Sequence, residues 1–183
     1  MSEPVGLRLL DLAAEVDPAY AIVEIGAFCG KSTCYLAAGA KHGHGAHVWS
    51  FDAWDLEGNP PGWHPTMHGY RTAFERFVGQ VQSCGLSDRV TATRAFSTDA
   101  AHDWSGPAVG LLFIDGSHLY ADVAADFFSW SGWLAPGAVV AFDDFETPTN
   151  SGVTRLVKEL RAGLSRWAWS FDPPPLAIGR KPL

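Results

Sequence analysis

Short apolar segments alternate along this chain with longer segments of helical periodicity, and this alternation limits the folds open to it. The clearest apolar segment is Val109 to Ile114, which is almost continuously hydrophobic. A strand of this kind is buried on both faces, as in a parallel sheet covered by helices on each side. We therefore predict a single α/β domain, with a doubly wound and mostly parallel sheet, within the 183 residues.

The same pattern places the individual elements. The predicted strands are Ala21–Ile25, His47–Phe51, Val90–Arg94, Val109–Ile114, Ala138–Phe142, Trp167–Phe171 and Leu176–Arg180. The predicted helices are Leu7–Val16, Lys31–Ala40, Tyr70–Cys84, Ala121–Trp133 and Val153–Leu164. A turn at Ala135–Gly137 is expected before the fifth strand, and the last two strands are expected to form a hairpin.

Charge and cysteine content exclude several classes of protein. The chain carries 13 basic and 20 acidic side chains, for a net charge of −7, and has no cluster of basic residues. A nucleic acid is therefore not an expected partner. The three cysteines lack the spacing of a zinc site or a disulfide framework. With no apolar run of the ~20 residues that a membrane helix needs and no signal-like N-terminus in residues 1–20, we expect a soluble cytoplasmic protein without membrane partners.

A turn containing two glycines follows the first predicted strand. Gly26 and Gly30 would let the backbone turn sharply and approach a ligand closely. The helix beginning at Lys31 would point its free N–H groups toward that ligand. The spacing G-x-x-x-G differs from the G-x-G-x-x-G of dinucleotide sites. Taken alone, this glycine pair is equally consistent with an ordinary tight turn.

A carboxylate follows the second predicted strand. Asp52 lies 26 residues after Gly26, at a position where a carboxylate can accept two hydrogen bonds from a ribose diol. An aspartate that caps a helix or faces solvent is the alternative. The glycine turn and Asp52 together favour a nucleoside ligand.

Three further carboxylates are expected at one point of the sheet edge. Asp115 follows the fourth strand, and Asp143 and Asp144 follow the fifth. The ends of neighbouring parallel strands lie close together, and crowded carboxylates repel one another unless a cation or protons intervene. Because Mg²⁺ prefers oxygen ligands, we predict that these three residues bind Mg²⁺. Solvated acids at strand ends are the alternative.

The segment from Val23 to Ser32, VEIGAFCGKS, closely resembles the first motif of catechol O-methyltransferase-like enzymes, roughly E-[LI]-G-x-[YF]-x-G-x-S. The resemblance extends from about Ala21 to the C-terminus. It implies a class I methyltransferase that uses S-adenosylmethionine (AdoMet), with a seven-stranded sheet whose last strand is antiparallel.

The resemblance also implies roles for individual residues. Gly26, Phe28 and Ser32 would line the methionine end of AdoMet, Asp52 would hold the ribose hydroxyls, and Ser97 would lie beside the adenine. The full set of predicted AdoMet-binding residues is Glu24, Gly26, Phe28, Gly30, Ser32, Asp52, Ser97 and Asp115.

The predicted metal site and base follow from the same resemblance. Catechol-type enzymes bind Mg²⁺ through an aspartate after strand 4 and an Asp-Asn pair after strand 5, whereas antibiotic-sugar O-methyltransferases carry an Asp-Asp pair, as this chain does. His118 lies where the catechol-type enzymes have a lysine base, and Ser117 lies where the sugar-modifying enzymes have an acidic base. We predict that His118 is the base. A surface or helix-capping histidine is the alternative.

One long segment, Trp54 to Gly69, matches no regular element. It contains three prolines, two tryptophans and two histidines, and it follows the second strand, where a lid over the site would lie. Trp54 and Trp63 could stack on a ring or sugar face, and His64 or His68 could serve as the base. A loop held in place by its own aromatic side chains is the alternative.

These features together predict methyl transfer from AdoMet to a hydroxyl oxygen of a small-molecule acceptor, with Mg²⁺ positioning that oxygen. The acceptor could be a phenol, a sugar or another metabolite. The alternatives are a metal-independent N- or O-methyltransferase and a nucleoside-binding module without catalysis. Residues 1–20 are too few for a substrate-capping domain, so a homo-oligomer could complete the site.

Overall fold

Seven strands form one sheet in the computed structural model, which describes residues 1–54, 73–148 and 151–183. The strands are β1 (Ala21–Ile25), β2 (His47–Asp52), β3 (Val90–Arg94), β4 (Val109–Ile114), β5 (Leu134–Phe142), β6 (Ala168–Ser170) and β7 (Ala177–Arg180). Their spatial order is β3-β2-β1-β4-β5-β7-β6. Strand β7 is antiparallel to both β5 and β6, whereas the other neighbouring pairs are parallel. The predicted sheet and its C-terminal hairpin are confirmed.

Helices cover both faces of this sheet. They are α1 (Glu3–Ala14), α2 (Lys31–His42), α3 (Ala73–Ser83), α4 (Ser97–His102), α5 (Tyr120–Ser131) and α6 (Ser151–Gly163). Helices α1, α2 and α3 pack in one hydrophobic core, and α5 and α6 pack in a second core on the other face. All five predicted helices are present in the structure, and their bounds differ by a few residues from the predicted ones. The short helix α4 was not predicted, because six residues are too few to show a helical period. No helix within the described ranges is long and apolar enough to span a membrane.

The start of β5 differs from the prediction. The expected turn at Ala135–Gly137 is part of the strand, which begins at Leu134. Leu134 pairs with Val109, and the register then shifts before the pairing resumes at Leu111. This irregularity accommodates Pro136, which has no N–H to donate to a ladder, and Gly137, whose φ is +73°.

A close crossing of α1 and α2 gives a test of the packing. A methyl group added at Gly39 of α2 would overlap the carbonyl oxygen of Leu10 in α1. We expect Gly39→Ala to lower the free energy of unfolding by about 1–3 kcal/mol, because the helices must separate to admit it. Urea denaturation measures this change.

The matched control is Gly79→Ala in α3. Gly79 is exposed, and no atom of the described residues lies within 4 Å of the position that its methyl group would take. This variant should be about 0.5–1 kcal/mol more stable than the parent, since alanine favours the helix. Equal stability of Gly39→Ala and the parent would contradict the close helix contact.

Candidate functional site

A cavity of about 200 Å³ opens at the edge where the parallel strands end. In open α/β sheets, ligands bind at this edge, near the point where the strand order reverses. Here the order reverses between β1 and β4, and the residues that follow these two strands, Gly26 and Gly116, both line the cavity. The other lining residues are Ile25, Phe51, Asp52, Ala53, Ala95, Phe96, Ser97, Thr98, Ser117, Asp122, Ala125 and Asp126.

The glycine turn has the backbone conformation that its sequence predicts. Gly26 and Gly30 have φ values of +86° and +83°, in the left-handed region that favours glycine. A methyl group on Gly26 would overlap the carbonyl oxygen of Asp115, at the end of β4. Glycine at position 26 therefore lets the backbone after β1 approach the backbone of Asp115 closely. This requirement does not depend on a ligand.

Glu24 lies inside the protein and supports this turn. It is fully buried, and its Oε2 accepts hydrogen bonds from Thr33 Oγ1 at 2.5 Å and from Ser50 Oγ at 2.6 Å. Burial raises the pKa of Glu24, against the effect of these hydroxyls and that of Ser32. The carboxyl group thus joins β1, β2 and α2. Neither Glu24 nor Ser32 is among the residues that line the cavity.

Asp52 is the predicted residue that the structure places most clearly. It is 6% exposed and lines the cavity. Its Oδ2 accepts a hydrogen bond from the backbone N–H of Phe28 at 2.8 Å, and its Oδ1 accepts one from that of Trp54 at 2.7 Å. Burial raises the pKa of Asp52, and these backbone donors oppose the increase. The carboxyl group is therefore held in one orientation beside the cavity.

Trp54 belongs to the hydrophobic core. Its side chain is fully buried and makes edge-to-face contacts with Phe74 and Phe77 of α3. Its Nε1 donates a hydrogen bond to the Phe28 carbonyl oxygen at 2.7 Å. The prediction that Trp54 stacks on an acceptor is therefore wrong. The rest of the predicted lid, with Trp63, His64 and His68, lies outside the described residues.

A group of acidic and imidazole side chains adjoins the cavity. One ligand atom each from Asp115, His118 and Asp144 lies within 4.8 Å of the others, and His118 Nε2 is 2.7 Å from Asp144 Oδ2. Asp143 is outside this group and is 3% exposed, and its Oδ1 accepts no hydrogen bond from any part of the chain that the structure describes. Burial, followed by the charges of Asp143 and Asp144, raises the pKa of Asp115 well above its usual value.

Strained backbone is concentrated at the same edge of the sheet. The non-glycine residues with positive φ in the described ranges are Phe28 (43°), Trp54 (42°), Asp144 (60°) and Glu146 (58°). They lie in the loops after β1, β2 and β5. Such conformations cost about 1–3 kcal/mol each and often occur at functional sites, where the surrounding structure maintains them.

Of the predicted AdoMet-binding residues, the structure brings Gly26, Asp52 and Ser97 together at the cavity. Two acidic residues of α5 were not predicted from the sequence. Asp122 and Asp126 also line the cavity, and they are one helical turn apart. The spacing i, i+4 shows only that they share a helix face. Within residues 1–54, 73–148 and 151–183, the lining thus includes three aspartates and no basic side chain.

We compared the sequence with known protein families and with curated proteins. A family model described as a methyltransferase domain matches residues 23–145. The protein y4gI of Sinorhizobium fredii is 32% identical over 143 residues, which make up 77% of this chain but only 15% of y4gI.

Two solved O-methyltransferases are similar in structure. TomG from Streptomyces achromogenes, involved in Tomaymycin synthesis and solved in complex with SAM, has a TM-score of 0.70 and 22% identity, covering 100% of this chain and 82% of TomG. NovP has a TM-score of 0.72 and 16% identity, covering 96% of this chain and 80% of NovP. At these identities the likeness shows a shared fold. Because the family model covers most of the sequence, this chain belongs to the methyltransferase-domain family, as the motif after β1 predicts.

Proposed function

We propose that this protein transfers a methyl group from AdoMet to a hydroxyl oxygen of a small-molecule acceptor. One observation carries the proposal: the cavity that Asp52 lines is also lined by Gly116 and Ser117, which lie in the chain between Asp115 and His118 of the acidic group. Asp115 precedes the cavity-lining Gly116 in the chain, so a donor in the cavity and an acceptor beside the acidic group would be neighbours. The O-methyltransferase activity of TomG and NovP supports oxygen as the acceptor atom.

The charge of the cavity favours AdoMet over a nucleotide. Among the residues that the structure describes, three aspartates and no lysine, arginine or histidine line it. Such a lining disfavours a pyrophosphate and attracts a ligand with positive charge. AdoMet carries a sulfonium and an amino group and has no phosphate, so its charge fits these residues.

Asp52 is suited to hold the ribose. Its oxygens already accept the backbone N–H groups of Phe28 and Trp54, with a smaller contribution from that of Ala27, and a carboxylate has about four acceptor sites in all. The remaining sites are available to the two ribose hydroxyls. Because the backbone fixes the carboxylate before the ligand binds, little conformational entropy is lost on binding.

His118 and Asp144 are suited to take the proton of the acceptor. Asp144 orients the imidazole by its contact with Nε2, and the His118 side chain is 42% exposed, so a second molecule can reach it. AdoMet supplies, when bound, an electrophilic methyl group on its sulfonium. The residues of the chain then act mainly by placing the acceptor oxygen in line with that methyl group and by accepting the proton at His118.

A divalent cation fits the same three side chains. Asp115 and Asp144 offer carboxylate oxygens and His118 offers an imidazole nitrogen. Oxygen ligands suit Mg²⁺, whereas an imidazole in the set also suits Mn²⁺ or Zn²⁺. A cation there would orient the acceptor oxygen and lower its pKa. Binding of Mg²⁺ by Asp115, Asp143 and Asp144 stays a prediction, and a base pair of His118 and Asp144 without metal is the second candidate.

Chelation separates these two candidates. The protein is incubated with AdoMet and a panel of phenols and sugars, and release of S-adenosylhomocysteine (AdoHcy) is measured by mass spectrometry. We expect EDTA to abolish turnover, and Mg²⁺ or Mn²⁺ to restore it, because the acidic group then needs its cation. Turnover that persists in EDTA would favour the metal-free base pair. No AdoHcy with any acceptor, although AdoMet binds, would instead support a binding module.

A further inference from the structure

The two acids of α5 that line the cavity, Asp122 and Asp126, contribute to its charge but have no individual role in the proposed transfer. Asp122 Oδ2 accepts a hydrogen bond from Ser117 Oγ at 2.6 Å, and Asp126 Oδ1 accepts one from Ser97 Oγ at 2.5 Å. Of the two acids, Asp126 is the buried one, with 9% exposure. A buried carboxyl group beside a ligand cavity is costly unless it has partners, and Ser97 is the partner of one of the two Asp126 oxygens.

The second oxygen of Asp126, Oδ2, lies near the backbone of Gly116, which lines the cavity. A methyl group at Gly116 would be 3.7 Å from Asp126 Oδ2 and 3.6 Å from Ile25 Cγ2. The space between these two side chains is thus left open by a glycine. Ser97 binds to Oδ1, which leaves Oδ2 as the Asp126 oxygen that can accept a hydrogen bond from a ligand.

The cavity beside Asp126 is lined by residues that could contact a nucleobase. Ala95 and Phe96 of the segment after β3 line the cavity together with Ser97. Asp52, at the end of β2, holds the position expected for the ribose. A nucleoside with its ribose at Asp52 would therefore direct its base toward Ser97 and Asp126.

Ser97 and Asp126 together present acceptors rather than donors. The single hydroxyl proton of Ser97 is directed to Asp126, so Ser97 Oγ can only accept a hydrogen bond from a ligand. Burial raises the pKa of Asp126 to about 6, against the effect of the Ser97 hydroxyl. At pH 8 the group is thus ionised and accepts hydrogen bonds only.

We propose that Asp126, held by Ser97, determines the choice of nucleobase by accepting a hydrogen bond from the 6-amino group of adenine. A 6-oxo purine would instead place its carbonyl oxygen against these acceptors, so that Asp126 Oδ2 would face another acceptor. This inference rests on the proposed function, because it assumes that the cavity holds the nucleoside of AdoMet.

The test compares AdoHcy with its 6-oxo analogue, S-inosylhomocysteine, by calorimetry at pH 8. We expect the parent protein to bind AdoHcy at least about 100-fold more tightly. In Asp126→Asn, the amide oxygen can still accept from Ser97 while the amide N–H₂ replaces Oδ2 as a donor. The ratio of the two Kd values should then change by about 100-fold or more. AdoHcy should bind more weakly to this variant, and S-inosylhomocysteine should bind more tightly.

Asp122→Asn is the matched control, since Asp122 also lines the cavity and also binds a serine hydroxyl. We expect it to leave the ratio of the two affinities unchanged within about 3-fold. Loss of the preference in this variant but not in Asp126→Asn would overturn the inference. A preference below about 10-fold in the parent would overturn it without any variant. If the parent binds neither ligand, the proposed function itself fails.

Discussion

Replacing Asp52 with alanine is expected to weaken AdoHcy binding by about 100-fold or more. The carboxylate would form two charge-assisted hydrogen bonds to the ribose, each with a contribution of about 1.5–3 kcal/mol, and about 1.4 kcal/mol corresponds to a tenfold change in Kd. The same change frees the backbone N–H groups of Phe28 and Trp54, which Asp52 now holds. Isothermal titration calorimetry measures the loss.

Two variants make this test specific. Asp103→Ala removes an exposed aspartate at the end of α4 and should leave the Kd unchanged. Asp52→Asn keeps one acceptor oxygen, so its loss of affinity should be intermediate. Circular dichroism shows whether each variant is folded. A folded Asp52→Ala protein that binds AdoHcy as tightly as the parent would show that the nucleoside does not bind at this cavity.

Replacing His118 with alanine is expected to lower the methyl-transfer rate by about 10²- to 10⁴-fold. This range is the usual contribution of a general base. His118 is not among the residues that line the cavity, so the Kd for AdoHcy should stay within about 3-fold of the parent value. Measuring kcat with a responsive acceptor, and Kd by calorimetry, separates a loss of chemistry from a loss of donor binding.

His102→Ala is the matched control for this variant, because His102 is an exposed histidine of α4. It should retain the parent rate. If His118→Ala also retains the parent rate, neither the base nor the cation-binding role of His118 is correct. In that case the histidines of residues 55–72, His64 and His68, become the next candidates for substitution.

Several elements were placed correctly because their burial or backbone conformation restricts which residues can occur there. β1 and β4 were located to the residue because both lie in the centre of the sheet and are apolar almost throughout. The glycine turn was recognised because positive φ restricts the choice of residue. Asp52 was recognised from its position at a strand end, where ligands of this fold bind.

The elements that were missed depend on tertiary contacts. Trp54 follows a strand within a segment rich in proline and glycine, and only the packing of α3 shows that it is part of the core. The first residues of β5 look like a turn in sequence, and they join the sheet through pairing with β4. Asp126 has the spacing of an ordinary helix-surface acid, and its burial becomes visible only when α5 packs beside Ser97.

We propose that the cavity at the ends of β1, β2, β3 and β4 binds the methyl donor. The decisive experiment is a calorimetric titration of AdoHcy and AdoMet into the parent protein. The titration is carried out once with Mg²⁺ and once with EDTA. We expect micromolar binding of both ligands, with one site per chain. An absence of binding for both ligands under both conditions would contradict it.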